Sequence, residues 1–214
     1  MEGDKKGLKY KFQWLYNIIK HGLFWHGVRN NIAKLGIDIM PYYWVREEVT
    51  PVIPPKIRGE DKNFKISIFG ESEINFVKST IIGIEQKDLL SDLKRGEICI
   101  GLKNGEDVAA YMFIKKAPFY FRKRKFSLNT NEAYLHSMYT FERFRGKNLA
   151  PFLRYHSYRL LEEQGVNTFY SVSEFFNKST IKFKKKMNSD HLKLFMSIVF
   201  FKKWTWNFTL KNFK

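Results

Sequence analysis

The sequence predicts an α/β (α+β) fold in which a mixed sheet is covered by helices. Three observations predict it. Beyond about residue 60 the patterning runs strand, two helices, antiparallel strands, helix, strand, helix, strands. Asn104-Gly105 between two apolar runs signals a tight hairpin. Leu149, Phe152, Leu153, Leu160 and Leu161 fall on one face of a helix that Gly165 closes.

Taken in order, Leu8 to about Lys34 reads as an amphipathic helix interrupted near Gly22, with Phe12, Leu15, Ile19, Phe24 and Val28 as its apolar stripe. Its two destinations are a membrane surface and the body of the protein, and docking on the body uses the stripe within the chain. PYYWVREEV reads as a strand, and TPVIPP at 50–55 breaks regular structure. The boundary is placed there, giving an N-terminal helical extension and strand over 1–60 and the main domain over 61–214. FKISIFG is a strand, ESEINFVKS and EQKDLLSDLK are helices, and EICIGL with VAAYMFI forms the hairpin. EAYLHSMYTF is a strand, LAPFLRYHSYRLLEEQG the amphipathic helix, NTFYSVS a strand and NKSTIKFKKKM a short helix. HLKLFMSIVFF and WTWNFTL make a closing strand pair.

Bulk properties narrow the function classes. With 214 residues, 44% of them hydrophobic, the chain buries a substantial core. A formal charge of +17 points to anionic partners, although lysine is spread along the whole chain and a solvated face accounts equally well for scattered charge. Cys99 is the only cysteine, so an intrachain disulfide and a cysteine-based zinc cluster are excluded, and a reducing, cytoplasmic location is expected. In EICIGL that cysteine reads as a buried strand thiol. The N-terminus lacks the apolar core of a signal peptide, and LFMSIVFF at 194–201 is far too short to span a bilayer. No His/Cys/Asp grouping has metal-ligand spacing, and no G-x-S-x-G element marks a serine nucleophile.

The stretch RFRGKNLAPF at 143–152 carries the chemistry. A strand followed by a glycine loop and a helix start leaves backbone N–H groups aimed at whatever fills the loop. Gly146 permits positive φ and close approach, while Arg143, Arg145 and Lys147 add charged donors. Asn148 is a candidate cap for the helix, and Pro151 removes only a donor that has no partner there. Such a site fits a pyrophosphate; an ordinary basic turn before a helix is the plain alternative.

Here the sequence resembles the GNAT superfamily of acyl-CoA-dependent N-acyltransferases. Their pyrophosphate loop has the pattern Q/R-x-x-G-x-G/A, which Arg143 and Gly146 match and from which Asn148 departs. A second feature, an Asn opening a later helix as N-x-x-[ST], is matched by Asn177 and Thr180, 31 positions after Gly146. The tail of that motif diverges, with Asn188-Ser189 where Gly-Phe is usual. The resemblance covers about residues 62–214 and implies a mixed, mostly antiparallel GNAT-like sheet flanked by helices.

It also implies acetyl-CoA or another short acyl-CoA as co-substrate, with no metal. Phe144 and Leu149 complete the loop that cradles its pyrophosphate, and the strand before the loop bulges so that backbone around Met138 to Thr140 pairs with the pantetheine arm. A backbone N–H there would stabilise the oxyanion. Many relatives place a tyrosine acid seven residues after the motif Asn; this chain has Lys184, which suits a phosphate better. His136 is the leading base, against a structural role among its apolar neighbours, and Tyr139 and Glu174 are weaker catalytic candidates.

The added segments are similar to those of GNAT proteins associated with bacterial surface-polysaccharide synthesis. That likeness implies a primary amine on a dTDP- or UDP-linked amino sugar as the acceptor. Tyr42, Tyr43, Trp44, Phe119 and Tyr120 are the rings available to stack on base or sugar, with core packing as their alternative use. Acylation of a protein N-terminus or lysine is the rival enzyme reading. A nucleic-acid-binding module, with RKRK at 122–125 and KFKKK tracking phosphates, ranks third because no nucleic-acid signature accompanies them.

Overall fold

The computed structural model describes residues 24–47, 54–59, 63–81 and 88–213. In chain order the first elements are α1 (Phe24–Lys34), β1 (Ile37–Glu47), β2 (Phe64–Phe69), α2 (Glu71–Thr80), α3 (Leu89–Lys94), β3 (Ile98–Asn104) and β4 (Asp107–Lys115). They are followed by β5 (Phe119–Phe121), β6 (Arg124–Phe126), β7 (Glu132–Thr140), a 3-10 turn (Glu142–Phe144) and α4 (Leu149–Glu162). Last come β8 (Thr168–Glu174), α5 (Lys178–Lys186), β9 (Asp190–Phe200) and β10 (Trp204–Asn212). The part of the expected N-terminal helix before Phe24, and the part of EQKDLLSDLK before Asp88, lie outside the described residues.

The described residues form two compact units, one within 54–116 and 128–169, the other within 24–47, 117–127 and 170–213. In the first unit the strands run β7-β4-β3-β2, each antiparallel to the next. Both faces of β4 are buried from Val108 to Ile114, which is why VAAYMFI reads as one unbroken apolar run. The hairpin turn sits one residue later than the sequence suggests. Asn104 pairs with Asp107, so Gly105 and Glu106 form the loop, with Gly105 at φ 61 as the first central residue of a primed turn.

Gly101 of β3 has a packing reason for lacking a side chain. A Cβ there would lie 2.0 Å from the ring of Phe69, itself 2% exposed. Gly101→Ala is expected to lower unfolding free energy by about 1–3 kcal/mol through overpacking. Urea denaturation measures it, and adding Phe69→Leu should restore part of the loss; an unchanged midpoint for the single variant would show that this ring moves freely.

In the second unit the order is β10-β9-β1-β8, with β10–β9 and β9–β1 antiparallel. The expected mostly antiparallel sheet with helices is therefore present. Its core is aromatic: Trp44 lies 4.5 Å from Phe126 and 4.9 Å from Tyr170 between ring centroids, and Tyr42 packs edge-on to Phe121 at 5.1 Å. Tyr42, Trp44 and Phe119 are buried and Tyr43 stacks on His191 at 4.0 Å, so these four of the five candidate stacking rings are used in packing. Tyr120 alone of the five is exposed, at 70%.

The RKRK connection is a hairpin. β5 and β6 pair across Arg122 and Lys123, whose φ values of 50 and 61 are those of a primed turn built without glycine or asparagine. Among the described residues no helix is long and apolar enough to cross a membrane.

Candidate functional site

β7 is paired to β4 through Phe113↔His136 and Tyr111↔Tyr139, so Ser137 and Met138 together oppose the single residue Met112. This is a β-bulge, and Ser137 at φ 49 supplies its left-handed step. The bulge expected of this strand is thus present, two residues before Thr140.

His136, just before the bulge, is 15% exposed in its side chain. Its Nε2 lies 2.7 Å from Glu97 Oε2 and its Nδ1 3.1 Å from Ser137 Oγ. Lys115 Nζ holds the other Glu97 oxygen at 2.7 Å. Burial pushes the Glu97 carboxyl up, but the hydrogen bonds and charges of His136 and Lys115 outweigh it and hold the group below the ordinary carboxylate range. An ionised Glu97 accepts the Nε2 proton, which leaves Nδ1 as the basic nitrogen. Tyr134 stacks on the ring at 5.3 Å and fixes its plane.

After β7 the chain makes the 3-10 turn and then the loop. Arg145 folds back, donating through Nε to Thr140 O at 3.1 Å and through a terminal nitrogen to Tyr139 Oη at 3.2 Å. Its charge ties strand to loop. Arg143 pairs with Asp107 at 2.7 Å on the surface, and Lys147 sits over the rings of Phe64 and Phe144 at 5.8 and 5.9 Å. The side chains of Phe144 and Leu149 are buried, so only their backbone is available to a ligand.

Gly146 has φ +83, and a Cβ built on it meets nothing within 4 Å. The space above this backbone is open. The ladder of α4 begins with Phe152 N–H to Asn148 O at 3.3 Å. Among the described residues the N–H groups of Gly146, Asn148, Leu149 and Ala150 enter no backbone hydrogen bond, and Pro151 has none to offer. A left-handed glycine, open space and several unclaimed donors at a helix start fit a pyrophosphate.

Asn148 does not cap that helix. It sits at φ 64 with no side-chain cap bond, and its Nδ2 donates instead to Lys56 O at 2.9 Å. The left-handed backbone turns the amide away from the helix start, and it braces the loop from behind together with Arg58 N–H to Lys147 O at 2.9 Å.

The remaining candidates belong to the second unit. Asn177 opens α5 as the sequence suggests, its side-chain oxygen accepting from Thr180 N–H at 3.1 Å. Asn177→Ala should cost about 1 kcal/mol through loss of this cap, read as a lower chemical-denaturation midpoint, with Asn177→Asp retaining most of it. Glu174 at the end of β8 lies 3.5 Å from Arg29.

Lys184 is 2% exposed, and its ammonium donates to Ser171 Oγ and to Val172 O at 3.2 Å, with Glu47 at 3.6 Å. Ser171 in turn donates to Glu47. These surroundings fit an internal ion pair in place of the expected phosphate contact. Sequence reading missed both acids, Glu97 and Glu47, because each meets its partner only in the folded chain, across paired strands for His136 and from helix α5 for Lys184.

No family model matches this sequence, and no curated protein matches it. Solved structures do resemble it. A GNAT-family protein from Novosphingobium aromaticivorans aligns with a TM-score of 0.53 and 16% identity over 77% of this chain and 66% of its own. A GNAT-family acetyltransferase from Colwellia psychrerythraea aligns at 0.55 with 15% identity, over 77% and 57%. The fold is GNAT-like. A GCN5-related glucosamine N-acetyltransferase region in a fungal multidomain β-N-acetylglucosaminidase aligns at 0.53 with 11% identity, over 82% of this chain and 23% of that one. The chain spans less than two thirds of each of these proteins.

Proposed function

We propose that the protein is an N-acyltransferase that moves an acetyl or other short acyl group from acyl-CoA to a primary amine. The observation that carries this reading is the run of a β-bulge at Ser137–Met138, a loop with Gly146 at φ +83 in open space, and the donors at the start of α4 that no backbone among the described residues claims. The GNAT-like fold supports it. Acyl-CoA supplies the activated thioester carbonyl.

In this reading the donors from Gly146 to Ala150 bind the pyrophosphate, and backbone at Met138–Thr140 meets the pantetheine arm. A backbone N–H at the bulge polarises the carbonyl and holds the developing oxyanion. His136 Nδ1 takes the proton of the attacking ammonium, directly or through water, while Glu97 orients the ring. The Tyr139 hydroxyl, held by Arg145, is the group on this strand suited to return a proton to the leaving thiolate.

For the acceptor, a dTDP- or UDP-linked amino sugar stands first, on the basic and aromatic segments added to the family core. Thiol release from acetyl-CoA with such sugars, set beside acidic peptides, tests the class, and turnover confined to peptides would overturn it. The co-substrate has its own test. Gly146→Val forces a branched residue to positive φ and closes the open approach, so calorimetry should find acetyl-CoA bound at least about tenfold more weakly, ~1.4 kcal/mol. Equal binding by the variant would remove the loop from the site. No binding by the parent protein, with salt-dependent binding to mixed DNA, would replace acyl transfer with nucleic-acid binding.

A further inference from the structure

The second unit holds a group of arginines that acyl transfer does not use. Arg29 on α1 and Arg122 in the β5–β6 turn both donate to Asp38 of β1, one to each carboxylate oxygen. Arg124 on β6 lies over the Phe195 ring, 4.0 Å from its centroid. Phe195 in turn packs against Tyr42, on the same face of β1 as Asp38. Asn207 of β10 reaches the group by donating to Arg122 O at 2.9 Å.

This cluster has more donors than acceptors. The Nε–H groups of Arg29, Arg122 and Arg124 and the hydroxyl of Tyr42 are buried without a hydrogen-bond partner among the described residues, as is Asn207 Oδ1. Tyr42 is fully buried, and burial raises its hydroxyl pKa against the charges of Arg124 and Arg122 and the Arg124 donor that faces its oxygen, so it is the hydroxyl proton that has no acceptor. Four unsatisfied donors converging in one region are costly unless a ligand or ordered water receives them.

A ligand can reach the cluster from solvent, since Asp38, Arg122 and Arg29 keep side-chain exposures of 23%, 16% and 13%.

We propose that Arg29, Arg122, Arg124 and Tyr42 form a binding site for the carboxylate of a small molecule. Three guanidinium charges face Asp38 and Glu174, which leaves one positive charge for the ligand to balance. A monoanion balances it, whereas a phosphate dianion overshoots. The planar guanidinium also matches the planar carboxylate. The site stands on the second unit alone and does not depend on the acyl-transfer reading.

Arginine Nε–H resonances in 1H–15N spectra of the full chain report on it directly. They would be titrated with acetate, succinate and inorganic phosphate at matched ionic strength, with Arg122→Lys and Arg124→Lys used for assignment. The carboxylates should shift all three Nε–H signals saturably. Tyr42→Phe removes one donor and no charge, and should weaken that binding by about tenfold. The same variant should raise the thermal midpoint of the ligand-free protein, because it deletes a buried hydroxyl without a partner. Absence of saturable shifts, unchanged binding by Tyr42→Phe, a lowered ligand-free midpoint, or phosphate binding more tightly than either carboxylate would each overturn the proposal.

Discussion

His136→Gln is expected to lower the rate of acyl transfer by roughly 10²–10⁴ while leaving acetyl-CoA affinity nearly unchanged. Glutamine keeps a polar side chain within reach of Glu97 but has no nitrogen that can take a proton at neutral pH. Glu97→Gln isolates the positioning role. The imidazole would remain with its Nε2–H poorly held, so the rate should fall less than in His136→Gln and its pH profile should move. Steady-state kinetics on both variants, with calorimetry for acetyl-CoA, separates base from scaffold. An unchanged rate for His136→Gln would take the histidine out of the mechanism and leave it as a ring between Tyr134 and Phe113.

Glu97 adds a stability signature to the same pair. Its folded-state pKa is below its ordinary 4.5, so its contribution is full above that pH and is lost as pH falls through the folded-state value. Glu97→Gln should flatten the stability curve on the acid side.

Much of the architecture is legible in the sequence because its patterns are local. Runs rich in aromatic and β-branched residues mark β1, β8 and β9, and the unbroken run VAAYMFI marks a strand buried on both faces. Asn177 announces a cap that its own helix uses, and the glycine of RFRGKN takes the positive φ that makes it necessary. The β5–β6 hairpin escaped because Arg122 and Lys123 occupy a turn that local preference reserves for glycine and asparagine. Their backbone is held by long-range contacts, Arg122 to Asp38 and Lys123 Nζ to Lys203 O at 3.3 Å. Asn148 misled for a related reason: its side chain is a good cap, but its backbone is left-handed.

The acid partners of the candidate residues were hidden for a stronger reason. Glu97 meets His136 across 39 positions, and Glu47 meets Lys184 through strands and a helix that no short motif links. The resemblance assigns Lys184 to phosphate because it stands seven residues after Asn177, where many relatives have a tyrosine acid, and a lysine in KFKKK has a solvated face as its default. Its neighbours Lys182 and Lys185 do lie on the surface while Lys184 turns inward, a consequence of helical phase that becomes visible only when the sheet beneath is in place.

That inward turn leads to the other large expected effect. Lys184→Met should lower the unfolding free energy by about 3–5 kcal/mol, since it leaves the Glu47 carboxylate buried without its ammonium counter-charge. Methionine fills nearly the same volume and removes the charge, so packing loss contributes little. A paired variant keeps the argument testable: Lys184→Met with Glu47→Gln removes both charges, and most of the lost stability should return. Urea denaturation of the parent, both single variants and the double variant gives the coupling between the two sites. If the effects simply add, the two charges do not interact in the folded protein and hydrogen bonds such as those to Ser171 and Val172 hold Lys184; a coupling of several kcal/mol shows that the pair is what keeps this lysine inside.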